Sequence, residues 1–537
     1  MWLIFLGPAL STAAVAASPS APDTGAQPGP WFGLWPVDAA DAVYLGSTVD
    51  DIFGSRGSLM GDGDGDGHPD LVVTAPHEGE DGRLSGSVYV FLGPTAGTWR
   101  ADADESLELT GADGGDWAGI SVAWSGDVDL DGDDDLLVGA RASDQSGRQA
   151  GAAHLVLMPV LGDRSLRDAD LTVLGQDPEE QLGAEVSPAG DVDGDGVLEV
   201  WLAAPYQGEQ AGEAYLVPTD LRGTVAVGDA ALAHIVGEER GDLAGLRTES
   251  VGDASGDGLP DTAFGAEGSD RGGVDAGAVY VVTVPPTGST RLADADLVVV
   301  GEHPGDAAGS AVYGLGDFDG DGSGDLAIQA RGDSTDGLPD RGAVYLFDPA
   351  RPALATARTK LLGEAAGHVA GSHLASCDID GDGELDLLVS AHRAGEPGPQ
   401  TGRVYLIYGP VPTGIVPVVE AADALFVGDE EYSKVGQDVS CNDIDLDGYA
   451  DVWIGAEGSI AEHGAYTGAA YLFFALPPPG SGEVDRDPPA RNPVRVEPSG
   501  CGCGVGGPDP RSAATGLLLL GAAWVAGCAR DRPRRAR

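Results

Sequence analysis

Positive charge is what this chain has least of. It carries 29 Lys and Arg against 87 Asp and Glu in 537 residues, a formal net charge of -58. Phosphate backbones and anionic bilayers are held by clustered basic side chains, so this composition excludes nucleic acid as a partner. Histidine is scarce too, at nine residues, and none sits in the HxxxH or HxH spacing that would grip zinc. There is no GxSxG, no HExxH and no cysteine with an evident histidine partner, which removes the usual linear signatures of hydrolases.

What the chain has in abundance is Asp and Gly, in one arrangement. Asp62 to Asp70 reads DGDGDGHPD, and the pattern returns at Asp127, Asp191, Asp253, Asp317, Asp378 and Asp443, with successive starts 65, 64, 62, 64, 61 and 65 residues apart. Hard cations want six to eight oxygens, and carboxylates at alternate positions of a tight loop converge on one point. Position one supplies Asp62, Asp127, Asp191, Asp253, Asp317, Asp378 and Asp443. Position three supplies Asp64, Asp129, Asp193, Ser255, Asp319, Asp380 and Asp445, and position five Asp66, Asp131, Asp195, Asp257, Asp321, Asp382 and Asp447. Position nine supplies Asp70, Asp135, Glu199, Asp261, Asp325, Asp386 and Asp451. The backbone carbonyl of position seven (His68, Asp133, Val197, Leu259, Ser323, Glu384 and Tyr449) is the expected further ligand.

Position six is Gly in every copy, where the backbone must turn sharply. An EF-hand begins in a similar way but needs a bidentate Glu at position twelve, and here that position is apolar each time, inside runs such as DLVVTAP that read as buried strands. The reading is up to seven calcium ions, with the blade 4 loop weakest because Ser255 replaces a carboxylate. Without metal each loop crowds three or four carboxylates together, so calcium and folding are expected to be linked.

A fixed period of about 60 residues argues for one closed repeat architecture. Before each loop stand two glycines eight apart (Gly46 and Gly54 in the first copy), and five residues after the ninth position comes an alanine. A later strand repeats an aromatic: Tyr89, Tyr215, Tyr280, Tyr345, Tyr405, Tyr471, and His154 as the one substitute, expected in the core. Four apolar runs per unit make a four-stranded blade, and seven units make an all-β, seven-bladed β-propeller over residues 37–476. The seventh unit lacks a fourth strand, and Ala42 to Leu45 precedes the first; the expectation is that this N-terminal run closes blade 7.

Together the glycine pair, the DxDxDGxxD loop, the LVVTAP-like strand and the GAVY strand resemble FG-GAP repeats, the blades of the integrin α-chain propeller and its bacterial relatives. The resemblance covers about four-fifths of the chain and implies metal on the lower face and ligand contacts from upper-face loops such as Pro76 to Ser85, Arg141 to Ala150 and Arg331 to Arg341. No sign of the integrin leg domains follows. Arg331-Gly332-Asp333 is read as a coincidence of composition, so Asp333 is expected to be dispensable for folding. Cys377 and Cys441, six and five residues after the second glycines of blades 6 and 7, fit either a disulfide or two buried thiols.

The ends carry separate messages. Residues 1–17 resemble a secretory signal peptide, although no Lys or Arg occurs before Arg56; residues 18–36 read as a flexible lead-in. Residues 477–500 form a Pro-rich linker. Residues 501–537 combine Cys501 and Cys503, an apolar run and an Arg-rich end, resembling a C-terminal sorting signal of the myxobacterial type, with a plain tail anchor as the alternative. The functional expectation is a secreted, surface-anchored, calcium-binding module, not an enzyme, that recognises an extracellular protein or glycan. The alternatives are a self-assembling surface component and an extracellular hydrolase or lyase with its site in the propeller channel.

Overall fold

The computed structural model describes residues 31–475, apart from 80–83, 94–95, 102–105, 256–257, 284–287, 319, 321, 323, 349–353, 355–356, 396–397 and 461–465. The signal-peptide, linker and sorting-segment expectations fall outside these residues. Among the described residues no helix is long and apolar enough to cross a membrane.

Blade 1 shows how the repeat folds. Its inner strand Gly57–Gly61 pairs antiparallel with Asp70–Ala75, which pairs with Ser87–Phe91, which pairs with Leu107–Thr110. The acidic loop is therefore the turn between the first two strands. Every residue of Asp70–Ala75 is buried, because each second strand packs against a neighbouring blade on both faces. Leu71 and Val73 face blade 7, whereas Val72 faces blade 2. Alternate residues feed different cores, which is why these strands read as continuous apolar runs. Seven buried clusters fill the seven interfaces between blades.

The two glycines answer to sterics. A Cβ on Gly46 would lie 2.1 Å from the Thr467 carbonyl oxygen, and Gly54 sits at φ +80°, a conformation that costs a residue with a side chain. Tyr280, Tyr345 and Tyr405 are fully buried, and each hydroxyl donates to the glutamate that follows the first glycine of its pair, at 2.9, 2.8 and 3.1 Å for Glu238, Glu302 and Glu364. His154 is a core residue as expected. Its Nδ1 lies 3.1 Å from Thr172 Oγ1, and burial pushes the imidazole down to about 4.

The ring closes as the N-terminal run predicts: Ala42–Leu45 pairs antiparallel with Ala469–Phe473 as the fourth strand of blade 7. Two expectations are corrected. Blades are mostly five-stranded, not four-stranded. The fifth strand comes from the next blade's connection between third and fourth strands, always in parallel pairing: Gly97–Arg100 lies along Ala42–Leu45, Gly223–Ala226 along Leu171–Leu174, and Gly414–Pro417 along Thr359–Leu362. An outer strand left bare would expose a row of unpaired backbone groups, and this lacing covers them.

The second correction concerns the lead-in, which joins the propeller at its C-terminal end. Gly33–Pro36 is the fifth strand of blade 6, parallel to Ala424–Val427. Trp31 is buried against Phe426 and Phe473, and it exchanges backbone hydrogen bonds with the Tyr408 hydroxyl. Cys377 and Cys441 form a disulfide between the inner strands of blades 6 and 7, which resolves the open alternative.

Candidate functional site

The acidic loops crowd one end of the ring, and their geometry repeats. The position-six glycines all have positive φ, from +89° at Gly67 to +106° at Gly132. Position four is left-handed as well in the six loops where it is described, and Leu130 and Leu446 hold it at φ +62° and +58° without being glycine. The turn folds position one's carboxylate back over the loop, where Asp62 accepts the N–H groups of Asp66 and Gly67 at 3.1 and 2.7 Å. Asp127, Asp378 and Asp443 do the same in their own loops.

Carboxylate oxygens converge within 4.8 Å of one another in five loops: Asp62, Asp64 and Asp66; Asp127, Asp129 and Asp135; Asp191, Asp193 and Glu199; Asp378, Asp380 and Asp386; Asp443, Asp445 and Asp451. In blades 4 and 5, Asp257, Asp319, Asp321 and Ser323 fall outside the described residues. Asp253 and Asp317 there accept the N–H of Gly258 and Gly322 at 2.9 and 3.0 Å, as their counterparts do.

Position nine has a second duty that the motif does not reveal. Asp451 is fully buried; it accepts the N–H of Ile444 at 3.1 Å and, with its other oxygen, that of Ala475 at 2.8 Å. It thus staples the loop to the end of the third strand. Asp70, Asp135 and Asp386 make the same pair of bonds. Burial, and then the crowded carboxylates of the same loop, push Asp451 up to about 9 and Asp386 up to about 7. The donor set is all carboxylate and carbonyl oxygen, the chemistry of a hard divalent cation, whose charge would reverse the mutual repulsion. In blade 3, Asp191 Oδ1 and Glu199 Oε1 are buried with no hydrogen-bond partner, so two oxygens already taken out of water await a cation. The residues present fit calcium.

The opposite end of the ring differs in chemistry. Arg56, Glu185, Arg247, His373 and Asp438, each the second residue after its blade's second glycine, meet there, and the closed ring brings distant charges together. Arg56 Nη1 reaches His373 Nε2 at 3.2 Å across the chain's full circuit, and His373 Nδ1 lies 2.8 Å from Asp438 Oδ1. Arg247 pairs with Glu185 at 2.9 Å. One strand-step inward, Glu249 is pushed up to about 8 by burial and then by Glu185. A cavity of about 780 Å³ opens at this mouth, with Arg56, Arg247, Arg331, Arg393, His373 and Glu267 in its lining. These residues come from four of the seven repeats, so no linear motif marks them.

Arg331 pairs with Glu267 at 2.8 Å, but Asp333 of the same tripeptide is fully buried. It binds Lys360 Nζ at 2.8 Å and accepts the Thr335 N–H at 2.9 Å. The expectation that Asp333 is dispensable for folding therefore fails: it is the counter-ion of a buried lysine.

Comparisons with known proteins match this geometry. The FG-GAP repeat family model matches residues 54–91 and 370–407, in blades 1 and 6. The chain is 34% identical to human (Homo sapiens) integrin alpha-IIb over 141 residues, covering 24% of this chain and 13% of that protein. It is 26% identical to Xenopus laevis integrin alpha-5 over 231 residues, 42% of this chain and 21% of the other. It is also 34% identical to the Bos taurus phosphatidylinositol-glycan-specific phospholipase D over 105 residues, 19% of this chain and 12% of the enzyme. The chain thus spans less than a quarter of the length of each of these relatives. Acidic turns, paired glycines and a ring of seven blades identify this chain as an FG-GAP-repeat β-propeller with integrin α homologues.

Proposed function

We propose that this propeller is a calcium-held recognition module, displayed outside the cell, that binds an extracellular protein or glycan with the face opposite its metal loops. The observation that carries the reading is the division between the two faces. The metal-loop face repeats one arrangement from blade to blade, whereas the mouth of the channel varies between blades and gathers arginines in a chain that is poor in them. Repetition serves the scaffold; variation serves a ligand. Asp62, Asp64, Asp66 and Asp70, with their counterparts, would hold the ion, which when bound neutralises each loop and locks the turn between the first two strands. The resemblance to integrin α chains favours an extracellular ligand, and the N- and C-terminal segments favour export and anchoring through a sorting signal.

An enzyme is the less favoured reading. A phospholipase D shares part of the repeat, and Ser372 Oγ lies 2.7 Å from His392 Nδ1 beside the cavity. Burial, however, holds His392 down at about 3, too weak a base to activate a serine near neutral pH.

The test is binding of the calcium-loaded protein to an array of glycans and cell-surface proteins. Arg331→Ala and Arg393→Ala lie at the exposed rim and leave the core untouched. A hit that both variants weaken, with unchanged melting, supports the reading. A hit indifferent to both would move the ligand off this face.

A further inference from the structure

Blade 3 departs from blades 1, 2, 6 and 7 at the ninth loop position in a way that bears on how tightly each loop holds its ion. This inference rests on the calcium reading and goes beyond it. In blades 1, 2, 6 and 7 the ninth residue is Asp, and both its oxygens accept backbone N–H groups. One bond comes from the second loop position. The other comes from the residue leaving the third strand: Gly93 at 2.7 Å, and Met158, Gly409 and Ala475 at 2.8 Å.

Blade 3 has Glu199, longer by one methylene. Its Oε2 accepts the Val192 N–H at 3.0 Å, which preserves the first bond. The second is gone, because the Thr219 N–H, at the place of Gly93, donates to the Leu198 carbonyl at 3.0 Å instead. Oε1 is left buried without a partner, on a residue only 1% exposed, and a carboxylate oxygen of this residue lies within 4.8 Å of ligand oxygens of Asp191 and Asp193.

Position one changes in parallel. In blades 1, 2, 6 and 7 its Oδ1 accepts the position-five N–H; in blade 3 the Asp195 N–H goes to Asp193 Oδ1 at 3.1 Å. Asp191 Oδ1 is thereby a second buried oxygen without a partner. An unmade bond at a buried carboxylate is costly, and two of them on carboxylates that converge in one loop are relieved together by a cation. An oxygen that serves no N–H also offers its full electron density to the metal.

We propose that the blade 3 loop is the tightest of the five converged cation sites, with Glu199 Oε1 and Asp191 Oδ1 as its distinguishing ligands. The experiment is a calcium titration of the full-length protein in competition with a chromophoric chelator, read as ions bound per chain. The parent should show one ion held about tenfold more tightly than the rest. Glu199→Asp, which restores the shorter side chain of the other blades, should merge that ion with the weaker class, and so should Asp191→Asn. Asp386→Asn, in blade 6, should leave it in place.

Retention of the tight ion in both blade 3 variants, or its loss in Asp386→Asn alone, would overturn the proposal while leaving the calcium reading standing. A parent protein that binds no calcium would overturn both. Circular dichroism of each variant in excess calcium separates lost affinity from lost fold.

Discussion

The two ends of the ring hold charge in opposite ways. At the loop end, like charges are packed together in the same pattern in blade after blade. At the channel mouth, unlike charges from separate blades are matched side by side: Arg56 with His373 and Asp438, Arg247 with Glu185, Arg331 with Glu267. The first arrangement needs something from outside to be stable; the second is stable by itself and leaves polar surface for a ligand. The difference teaches where to look for scaffold and where for recognition.

The largest effect should come from stripping the loop end. Chelator should lower the melting temperature by many degrees, since the carboxylate clusters then repel one another within buried loops; an unchanged melt would erase the contrast between the ends. Next comes ring closure. Truncation before Leu45 removes the fourth strand of blade 7, the fifth of blade 6 and the Trp31 plug at once. Such a protein should melt earlier and gain protease sensitivity in blades 6 and 7, and parent-like resistance would count against strand closure. Asp333→Ala leaves Lys360 buried with only Glu302 at 2.8 Å and should cost about 3 kcal/mol in denaturant unfolding. A loss of less than about 1 kcal/mol would restore the expectation that Asp333 is dispensable for folding.

The smallest effect belongs to the channel. Glu249 has its carboxyl raised to about 8 by burial, so the folded state holds a proton that the unfolded chain releases near the ordinary carboxylate value. Stability contributed by that proton is lost as pH rises from about 4.5 toward 8. With calcium saturating, Glu249→Gln should gain on the parent across this window and level off above it, as followed by thermal melts. A constant difference at all pH values would mean that the carboxyl is not raised.

Much of this architecture was legible in the sequence because it is repetitive. Asp62 to Asp70 and its six returns mark the turn between first and second strands, the glycine pair marks the close approach of backbones, and Ala42 to Leu45 marks the closure. The lacing strands were missed although they too repeat. Gly33, Gly97, Gly162, Gly223, Gly288 and Gly414 all have positive φ and open a short run toward the outer strand. In all six of these runs a buried residue follows four positions later: Val37, Ala101, Leu166, Val227, Leu292 and Val418. That pattern is degenerate in everything but Gly and a small or apolar plug, so it hides among the turns of a Gly-rich chain.

The channel mouth was beyond reach for a different reason. Arg56 and His373 are 317 residues apart, and only a closed ring makes them neighbours. Asp333 was misread because its partner Lys360 lies in another strand, and the tripeptide carries no trace of it. The staple made by Asp70, Asp135, Asp386 and Asp451 is equally invisible, because the N–H groups it accepts come from a strand end with no side-chain signature.

The most direct test of the account is a count of calcium ions bound per chain, by equilibrium dialysis of the folded full-length protein at neutral pH in saturating calcium. Five loops with converged carboxylates, and two more whose first aspartates bind their turns in the same way, predict at least five ions and at most seven. A folded protein that retains none would contradict it.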